Sequence, residues 1–88
     1  TSTDLATLAA IISSLKGTAL PDDLVIFGEV GLSGEVRPVP SGQERVQEAL
    51  KHGFKRAIIP YGNKPRTELK GLEIVPVKKL TDLLNVIF

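Results

Sequence analysis

Residues 28–45 constrain the fold of this chain more than any other stretch, because they encode a hairpin that runs directly into a helix. Gly31 and Gly34 bracket a turn between an apolar strand pattern and the alternating segment 35–39, which is typical of two antiparallel strands. Pro38 favours the end or the edge of a strand, because proline cannot donate to a ladder of hydrogen bonds. We therefore expect a hairpin that ends just before the helix.

The helix after the hairpin has a start signal in residues 41–44, Ser-Gly-Gln-Glu, which match a capping box. In this motif the Ser41 oxygen accepts a hydrogen bond from the third helical amide, and the Glu44 carboxylate reaches back to the cap. We expect the helix to bury Val46 together with its apolar neighbours and to end at Gly53.

Apolar residues at helical spacing predict an amphipathic helix over 4–16 that ends before Gly17. Its candidate N-caps are Ser2, Thr3 and Asp4. Short apolar runs that are bounded by turn residues predict strands elsewhere in the chain. The remaining predicted elements are a strand over 24–30, strands over 56–60 and 72–76, and a final helix marked by Leu80, Leu83, Leu84 and Ile87.

The order of these elements indicates an α+β fold of two layers, in which helices pack on a mixed β-sheet. With 88 residues, of which 42% are hydrophobic, the chain is one small globular domain or part of one. It contains no methionine, and its helical pattern opens at Asp4 without a lead-in. We expect a segment of a longer domain.

Composition excludes several kinds of site. The chain has no cysteine, so it has neither a disulfide nor a thiolate metal site, and a single histidine, His52, argues against a zinc site. His52 is interpreted as a polar side chain near the end of a helix. No apolar run approaches the roughly 20 residues of a membrane span, and the first residues lack a secretion signal. We expect a cytoplasmic protein.

The charges are distributed unevenly along the chain. Residues 1–44 carry two basic and six acidic groups, whereas residues 45–88 carry nine basic and four acidic groups. This asymmetry predicts a basic face able to meet phosphate or an acidic partner, and charge alone does not decide which. If the partner is DNA, we expect contacts to phosphates and not to bases, because Tyr61 is the one aromatic residue expected outside the core. A solvated surface without a partner is the alternative. The candidate DNA-binding residues are Arg45, Lys51, Lys55, Arg56, Lys64 and Arg66, with Lys70 in the same basic set.

Two other patterns indicate structure more than chemistry. Gly28, Gly31 and Gly34 match neither the dinucleotide fingerprint nor the lysine-containing nucleotide loop, and we expect them to make turns. Glu29 and Glu35 are candidates for a hydrolytic carboxylate pair. The favoured interpretation is that they are exposed cross-strand charges of the hairpin.

The hairpin-to-helix block through Gln43, Glu44 and Arg45, together with the segment 52–60, resembles a known family. It is similar to the C-terminal Lon-protease-like domain of the RadA (Sms) family of bacterial DNA repair proteins. The resemblance extends over nearly the whole chain and implies a Lon-protease-like fold, related to domain 2 of ribosomal protein S5. Residues 1–88 would then be the C-terminal part of such a domain.

Proteolytic members of the wider Lon family use a serine with a lysine as general base, and the resemblance places Ser2 and Gln43 near those two positions. A glutamine amide cannot act as that base, and a serine hydroxyl without a titratable partner is a weak nucleophile. Ser2 is therefore interpreted as a helix cap. We expect no catalytic residue in this segment, with a Lon-type serine peptidase fragment as an alternative.

The resemblance implies a full-length DNA-dependent ATPase of recombinational repair, with a zinc finger and a RecA-like motor. ATP, magnesium and zinc would bind outside this segment, in which we expect no cofactor and no metal. The segment itself is expected to assemble a hexameric ring and to contact the DNA backbone. A partial domain should also expose a sheet edge, which favours self-association. A protein-interaction scaffold without DNA contact is the alternative.

Overall fold

Six short strands, three α-helices and one 3-10 helix form residues 3–88, the part of the chain that the computed structural model describes. None of the helices in this part combines the length and the apolar character needed to cross a bilayer. In chain order the elements are β1 (Thr3–Asp4), α1 (Leu5–Lys16), β2 (Leu24–Ile26), β3 (Glu29–Val30), β4 (Val36–Arg37), α2 (Gly42–Lys51), β5 (Arg56–Pro60), the 3-10 helix (Tyr61–Asn63), β6 (Glu73–Val77) and α3 (Leu80–Ile87).

The strands divide between two three-stranded sheets. β1, β3 and β4 form an antiparallel sheet, in which Glu29 lies opposite Arg37 and Val30 lies opposite Val36. β2, β5 and β6 form a parallel sheet with β5 in the centre. The predicted hairpin is confirmed by the pairing of β3 with β4, and both predicted strands after α2 are confirmed as β5 and β6.

The predicted strand over 24–30 is wrong as a single strand, because the chain changes sheets at Gly28. Gly28 has a φ of 144°, a backbone conformation that residues with a side chain rarely adopt. A Cβ atom at this position would also lie only 3.0 Å from Cγ of Pro60. The backbone therefore breaks after β2, so that Ile26 still pairs with β5 while Glu29 begins the hairpin.

Helices cover both faces of the parallel sheet. Alternate residues of β5 point to opposite faces, so Ile58 belongs to one core cluster with Leu5 of α1 and Leu83 of α3. Ala57 and Ile59 belong to a second cluster, to which α2 contributes. The predicted α+β class is confirmed. Because helices lie on both faces, this part of the fold has one layer more than the two that we expected.

Asn63, and not a serine cap, holds the start of α2. The capping-box prediction is wrong: Ser41 is left-handed, with a φ of 62°, and its side chain makes no capping hydrogen bond. The amide of Val39 donates to Asn63 Oδ1 at 2.9 Å, and Asn63 Nδ2 donates to the Val39 carbonyl at 3.0 Å. Gly42 packs so closely on this side chain that a Cβ atom would collide with Nδ2 of Asn63. The paired amide thus fixes the segment that leads into the helix.

The bounds of α1 and α2 agree closely with the sequence prediction. Asp4 caps α1, because its Oδ1 accepts a hydrogen bond from the Thr7 amide at 2.9 Å. α1 ends at Lys16 and is followed by Gly17, which has a φ of 66°; α2 ends at Lys51, slightly before its predicted end. The candidate cap Ser2 lies outside the described residues.

Asp82 stabilises the start of α3 from inside its first turn. Its Oδ2 accepts hydrogen bonds from the amides of Lys78 and Lys79, each at 3.0 Å. These two hydrogen bonds, followed by the charges of the two lysines, hold the pKa of the Asp82 carboxyl below its ordinary value. A carboxylate in this place also complements the positive end of the helix dipole.

We predict non-additive effects for substitutions of Gly42 and Asn63. Asn63→Ala removes both hydrogen bonds to Val39 and should lower the free energy of unfolding by about 1–3 kcal/mol. Gly42→Ala alone should also destabilise, because the new methyl group collides with Asn63. In the double variant most of that collision is gone, so the total loss should be smaller than the sum by about 1 kcal/mol. Urea unfolding of the four proteins tests this, and strict additivity would contradict it.

We predict that Asp82 contributes stability that depends on pH. A carboxyl whose pKa is lower in the folded than in the unfolded state stabilises above its unfolded pKa, and this stabilisation is lost as the pH falls through the folded value. Asp82→Asn keeps an acceptor but removes the charge, so it should be less stable than the parent at pH 7. The difference should shrink below about pH 4. Urea unfolding at pH 7 and pH 3 measures this. Asp22→Asn, the same substitution at an exposed turn residue before β2, is the control.

Candidate nucleic-acid interface

The parallel sheet has two edges at which basic residues collect. Arg56 pairs in register with Glu73 where β5 and β6 begin, and Pro60 pairs with Val77 where they end. We call these the amino edge and the carboxyl edge. Because β5 has five residues and a strand rises roughly 3.3 Å per residue, its first and last residues lie roughly 13 Å apart. Residues on opposite edges therefore cannot contact the same phosphate group.

The carboxyl edge holds an exposed aromatic ring with two cations. Tyr61 follows β5 directly, and 49% of the residue is exposed. The Lys78 Nζ lies 4.6 Å from the centroid of the Tyr61 ring, and the Lys64 Nζ lies 5.7 Å from it. We call these three residues the tyrosine cluster. Lys78 was not among the candidate residues, although its place just beyond the predicted strand 72–76, separated from it by Val77 alone, is the signal that could have identified it.

The backbone around Tyr61 is held in place from several sides. Pro60, which precedes it, is fully buried, and the amide of Lys64 donates to the Tyr61 carbonyl at 3.1 Å. Gly62 packs against Pro38, so that a Cβ atom at Gly62 would lie 3.1 Å from Cγ of that proline. The ring is thus exposed on a turn whose backbone has little freedom.

Arg45 also belongs to the carboxyl edge. It is exposed on α2, the helix whose first residue packs against Asn63 beyond the end of β5. Its guanidinium carbon lies 5.6 Å from the centroid of the Phe27 ring, and Phe27 follows β2 at the same edge. Arg45 and Lys64 are therefore the two candidate DNA-binding residues that the fold brings to this edge.

The amino edge holds Lys51, Lys55 and Arg56 together with acidic groups. The carbonyl of Asp23 accepts from the amides of Lys55 (2.8 Å) and Arg56 (3.2 Å), which places an aspartate beside both basic residues. Arg56 is half-buried, and its Nε lies 3.2 Å from Oε1 of Glu73. Within the described residues this Nε makes no hydrogen bond, so the contact is one of charge alone. The basic character of this edge is therefore partly neutralised.

The last candidate, Arg66, lies in the loop that crosses from the carboxyl edge back to the start of β6. It lines an open cleft of about 540 Å³ together with Lys64, and Glu68 and Glu73 contribute acidic groups to the same cleft. The six predicted residues thus do not form one patch, because two lie at the carboxyl edge, three lie at the amino edge and Arg66 lies between them.

Comparison with known proteins assigns the chain to a family. Residues 1–88 match the model of the Lon protease (S16) C-terminal proteolytic domain. The DNA repair protein RadA of Haemophilus influenzae is 64% identical over 99% of the chain, and RadA of Escherichia coli is 62% identical over 98% of it. The chain belongs to the Lon C-terminal domain family, in its RadA branch. The resemblance inferred from the sequence is therefore confirmed.

The proteins of this family that the chain matches are much longer than the chain. It spans 19% of the length of each of the two RadA proteins. An archaeal Lon protease from Methanocaldococcus jannaschii is 40% identical over 97% of the chain, which spans 14% of that protease. This RadA-type Lon-like segment is thus similar both to repair proteins and, at lower identity, to a protease.

The position that the resemblance assigns to the lysine of Lon peptidases is open to solvent in this Lon-like segment. Gln43 is the second residue of α2 and is exposed. Its side chain does not titrate, so it can neither remove nor return a proton near neutral pH. Ser2, the other position implied by the resemblance, lies outside the described residues.

The two hairpin glutamates of the Lon-like segment do not have the environment of a hydrolytic pair. Glu35 Oε2 accepts from Arg37 Nη2 at 2.9 Å, and its Oε1 accepts from the Ser33 amide at 3.0 Å. The hydrogen bond from Arg37 is the largest cause that lowers the pKa of Glu35. A general acid needs the opposite shift. Glu29 lies opposite Arg37 in the ladder, so the interpretation as a cross-strand charge is confirmed for Glu29. The side chain of Glu35 instead contacts Arg37, two residues later in its own segment.

His52 lies at the C-cap of α2, as expected from the sequence. Its Nε2 is 3.2 Å from Oε2 of Glu48, one helical turn earlier, and both side chains are well exposed. An exposed pair of this kind contributes little to stability. The structure thus places His52 as a polar residue at a helix end.

Proposed function

We propose that this segment is a non-proteolytic Lon-like module of a RadA-type DNA repair protein and that it contacts the DNA phosphate backbone. The observation that carries the proposal is membership of the RadA branch together with the exposed cations of the carboxyl edge. Lysine and arginine side chains bind DNA largely by neutralising phosphates, a contact that needs no particular base sequence.

The carboxyl edge supports this proposal better than the amino edge does. Arg45, Lys64 and Lys78 are exposed there, and the carboxylate of Asp82, which lies next to Lys78, is bonded to backbone amides. At the amino edge, Asp23 and Glu73 lie next to the basic residues. Because Glu73 pairs with Arg56, fewer cations at the amino edge are free to bind a phosphate backbone.

The absence of peptidase activity is part of the proposal. The exposed amide of Gln43 supplies no general base at the position that the resemblance assigns to the lysine. Similarity to the archaeal Lon protease supports a shared fold, because one fold hosts different functions.

For the whole protein we propose a DNA-dependent ATPase of recombinational repair that acts in the bacterial cytoplasm. In that protein ATP, magnesium and zinc would bind to segments outside the present 88 residues, and the Lon-like modules would assemble a hexameric ring. The names of the RadA relatives support the repair role.

Self-association of the segment is expected at an outer strand of the parallel sheet. β2 is an outer strand, and it borders a groove with apolar walls from Val25, Phe27 and Phe54. β6, the other outer strand, contains Pro76, which cannot donate a hydrogen bond. An outer strand that is not blocked is a template for pairing with another chain. The outer strand β2 is therefore the expected contact between copies of the segment.

Charge reversal at the carboxyl edge should weaken DNA binding. For wild type, we expect fluorescence anisotropy with duplex DNA to give an affinity that falls steeply as salt rises. If Lys64 and Lys78 each contact a phosphate, Lys64→Glu/Lys78→Glu should reduce the slope of log affinity against log salt by about 2. Lys51→Glu/Lys55→Glu at the amino edge should have a smaller effect.

Lys16→Glu is the charge control for this experiment, because Lys16 lies at the end of α1 beside Phe88, outside the candidate residues. It should leave DNA binding nearly unchanged. If wild type binds no DNA at low salt, the proposal of DNA contact fails and the protein-interaction scaffold takes its place. If the two double variants weaken binding equally and Lys16→Glu, with half their change in charge, weakens it about half as much on the logarithmic scale, the effect is one of net charge alone.

A charged residue on the outer strand β2 should reduce self-association. We expect wild type to form larger species as its concentration rises in sedimentation velocity. Val25→Lys places a charge on the outer strand, a device that natural proteins use to protect such edges, and should shift the distribution towards monomer. Leu32→Lys, at a residue that is 88% exposed in the hairpin turn, is the matched control. Wild type that stays monomeric at high concentration would contradict the proposal, and circular dichroism checks that each variant folds.

A further inference from the structure

Resting on the DNA contact proposed above, we infer that Tyr61 stacks on an unpaired base of single-stranded nucleic acid while Lys64 and Lys78 bind the adjoining phosphates. The tyrosine cluster presents both chemical groups that a nucleotide requires. An exposed ring offers a flat apolar surface to a base, and ammonium groups offer donors to phosphate oxygens.

The distances within the tyrosine cluster allow the ring to contact a base while the lysines contact the adjoining phosphates. Both ammonium nitrogens lie within 5.7 Å of the ring centroid, so a phosphate bound to either lysine lies within one nucleotide of a base on the ring. Contacts between a lysine and an exposed aromatic ring are weak. Each ammonium group can therefore leave the ring for a phosphate, which uncovers the ring surface that it occupied.

The fold holds Tyr61 where ligands commonly bind. In parallel sheets, binding sites lie beyond the carboxyl ends of the strands, and Tyr61 and Lys78 are the first residues after two adjacent strands. The buried Pro60 before the ring and the two hydrogen bonds between Asn63 and Val39 after it restrict the backbone. A rigid platform loses little entropy when a base stacks on it.

The ligand class follows from the exposed ring. In a duplex the bases are stacked on one another and paired, so their flat surfaces are not available to a side chain. In a single strand they can leave the stack and lie on an aromatic ring, and this contact tolerates any base. Lysines alone would not distinguish the two forms of DNA, so the tyrosine is what favours the unpaired strand.

The decisive comparison uses two oligonucleotides of equal length, one of thymidine and one abasic, which carries the same phosphates without bases. We expect wild type to bind the thymidine strand at least about fivefold more tightly, the lower end of the effect of one stacked base. Tyr61→Leu should bring the two affinities together. Tyr61→Phe keeps an aromatic ring and should preserve the difference.

Intrinsic fluorescence gives a second readout at the same residue. Tyr61 is the one tyrosine of the chain, which has no tryptophan, so the emission reports on this ring. Stacking with thymine should quench it, whereas the abasic strand should not. Since Tyr61 is half exposed, neither substitution should prevent folding, and circular dichroism checks this.

Three outcomes would overturn the inference. If wild type binds both strands equally, or if Tyr61→Leu changes nothing while binding still falls with salt, the contact is to phosphates alone. The proposed DNA contact would then stand without the stacking. If wild type binds neither oligonucleotide nor duplex DNA at low salt, both the inference and the proposed DNA contact fail.

Discussion

The parallel pairing of β5 with β2 and β6 is the interaction on which the rest of this structure depends. β5 is buried from Ala57 to Pro60, and its side chains enter the core on both faces of the sheet. Because both faces are used, α1 and α3 pack on one side and α2 on the other. The parallel direction also separates the ends of the strands from their beginnings, and this separation divides the basic residues between two edges.

The turn after β5 serves both the fold and the candidate interface. Asn63 binds the backbone of Val39 with both ends of its amide, which ties the exit of the hairpin to the parallel sheet. Tyr61 belongs to the same turn and is positioned by the same contacts. A short 3-10 helix therefore connects the antiparallel sheet, the start of α2 and the exposed ring, so changes in any one of them should be felt by the others.

Periodicity was sufficient to predict the helices, the hairpin and the two strands after α2, because each has several apolar residues at the spacing of its element. The break at Gly28 could not be predicted in this way, since Leu24–Phe27 and Val30 read as one apolar run. The close approach of Pro60 that requires a glycine comes from a distant part of the chain. The prediction of a Ser41 cap was wrong for a similar reason, because the hydrogen bonds that fix the start of α2 come from Asn63, which lies in the turn after β5.

The candidate interface was predicted less well than the fold. Net charge along the chain indicated a basic half but gave no grouping, since the two edges can be told apart only when the strand directions are known. Lys64 was chosen as a residue of the long loop after β5, but its position beside the same ring as Lys78 depends on the adjacency of β5 and β6. The sequence alone does not show that Tyr61 lies between two cations, which is the reason to consider it a contact residue.

The change of sheet at Gly28 has a mechanical consequence. On one side of it the amide of Phe27 donates to the Ile58 carbonyl at 3.1 Å, and on the other the Gly28 carbonyl accepts from the amide of Leu5 at 2.9 Å. A force applied at the tip of the hairpin would travel through these two hydrogen bonds into the central strand and into the first turn of α1. Gly28, which packs against Pro60, therefore both allows the bend between the two sheets and connects the hairpin mechanically to the core.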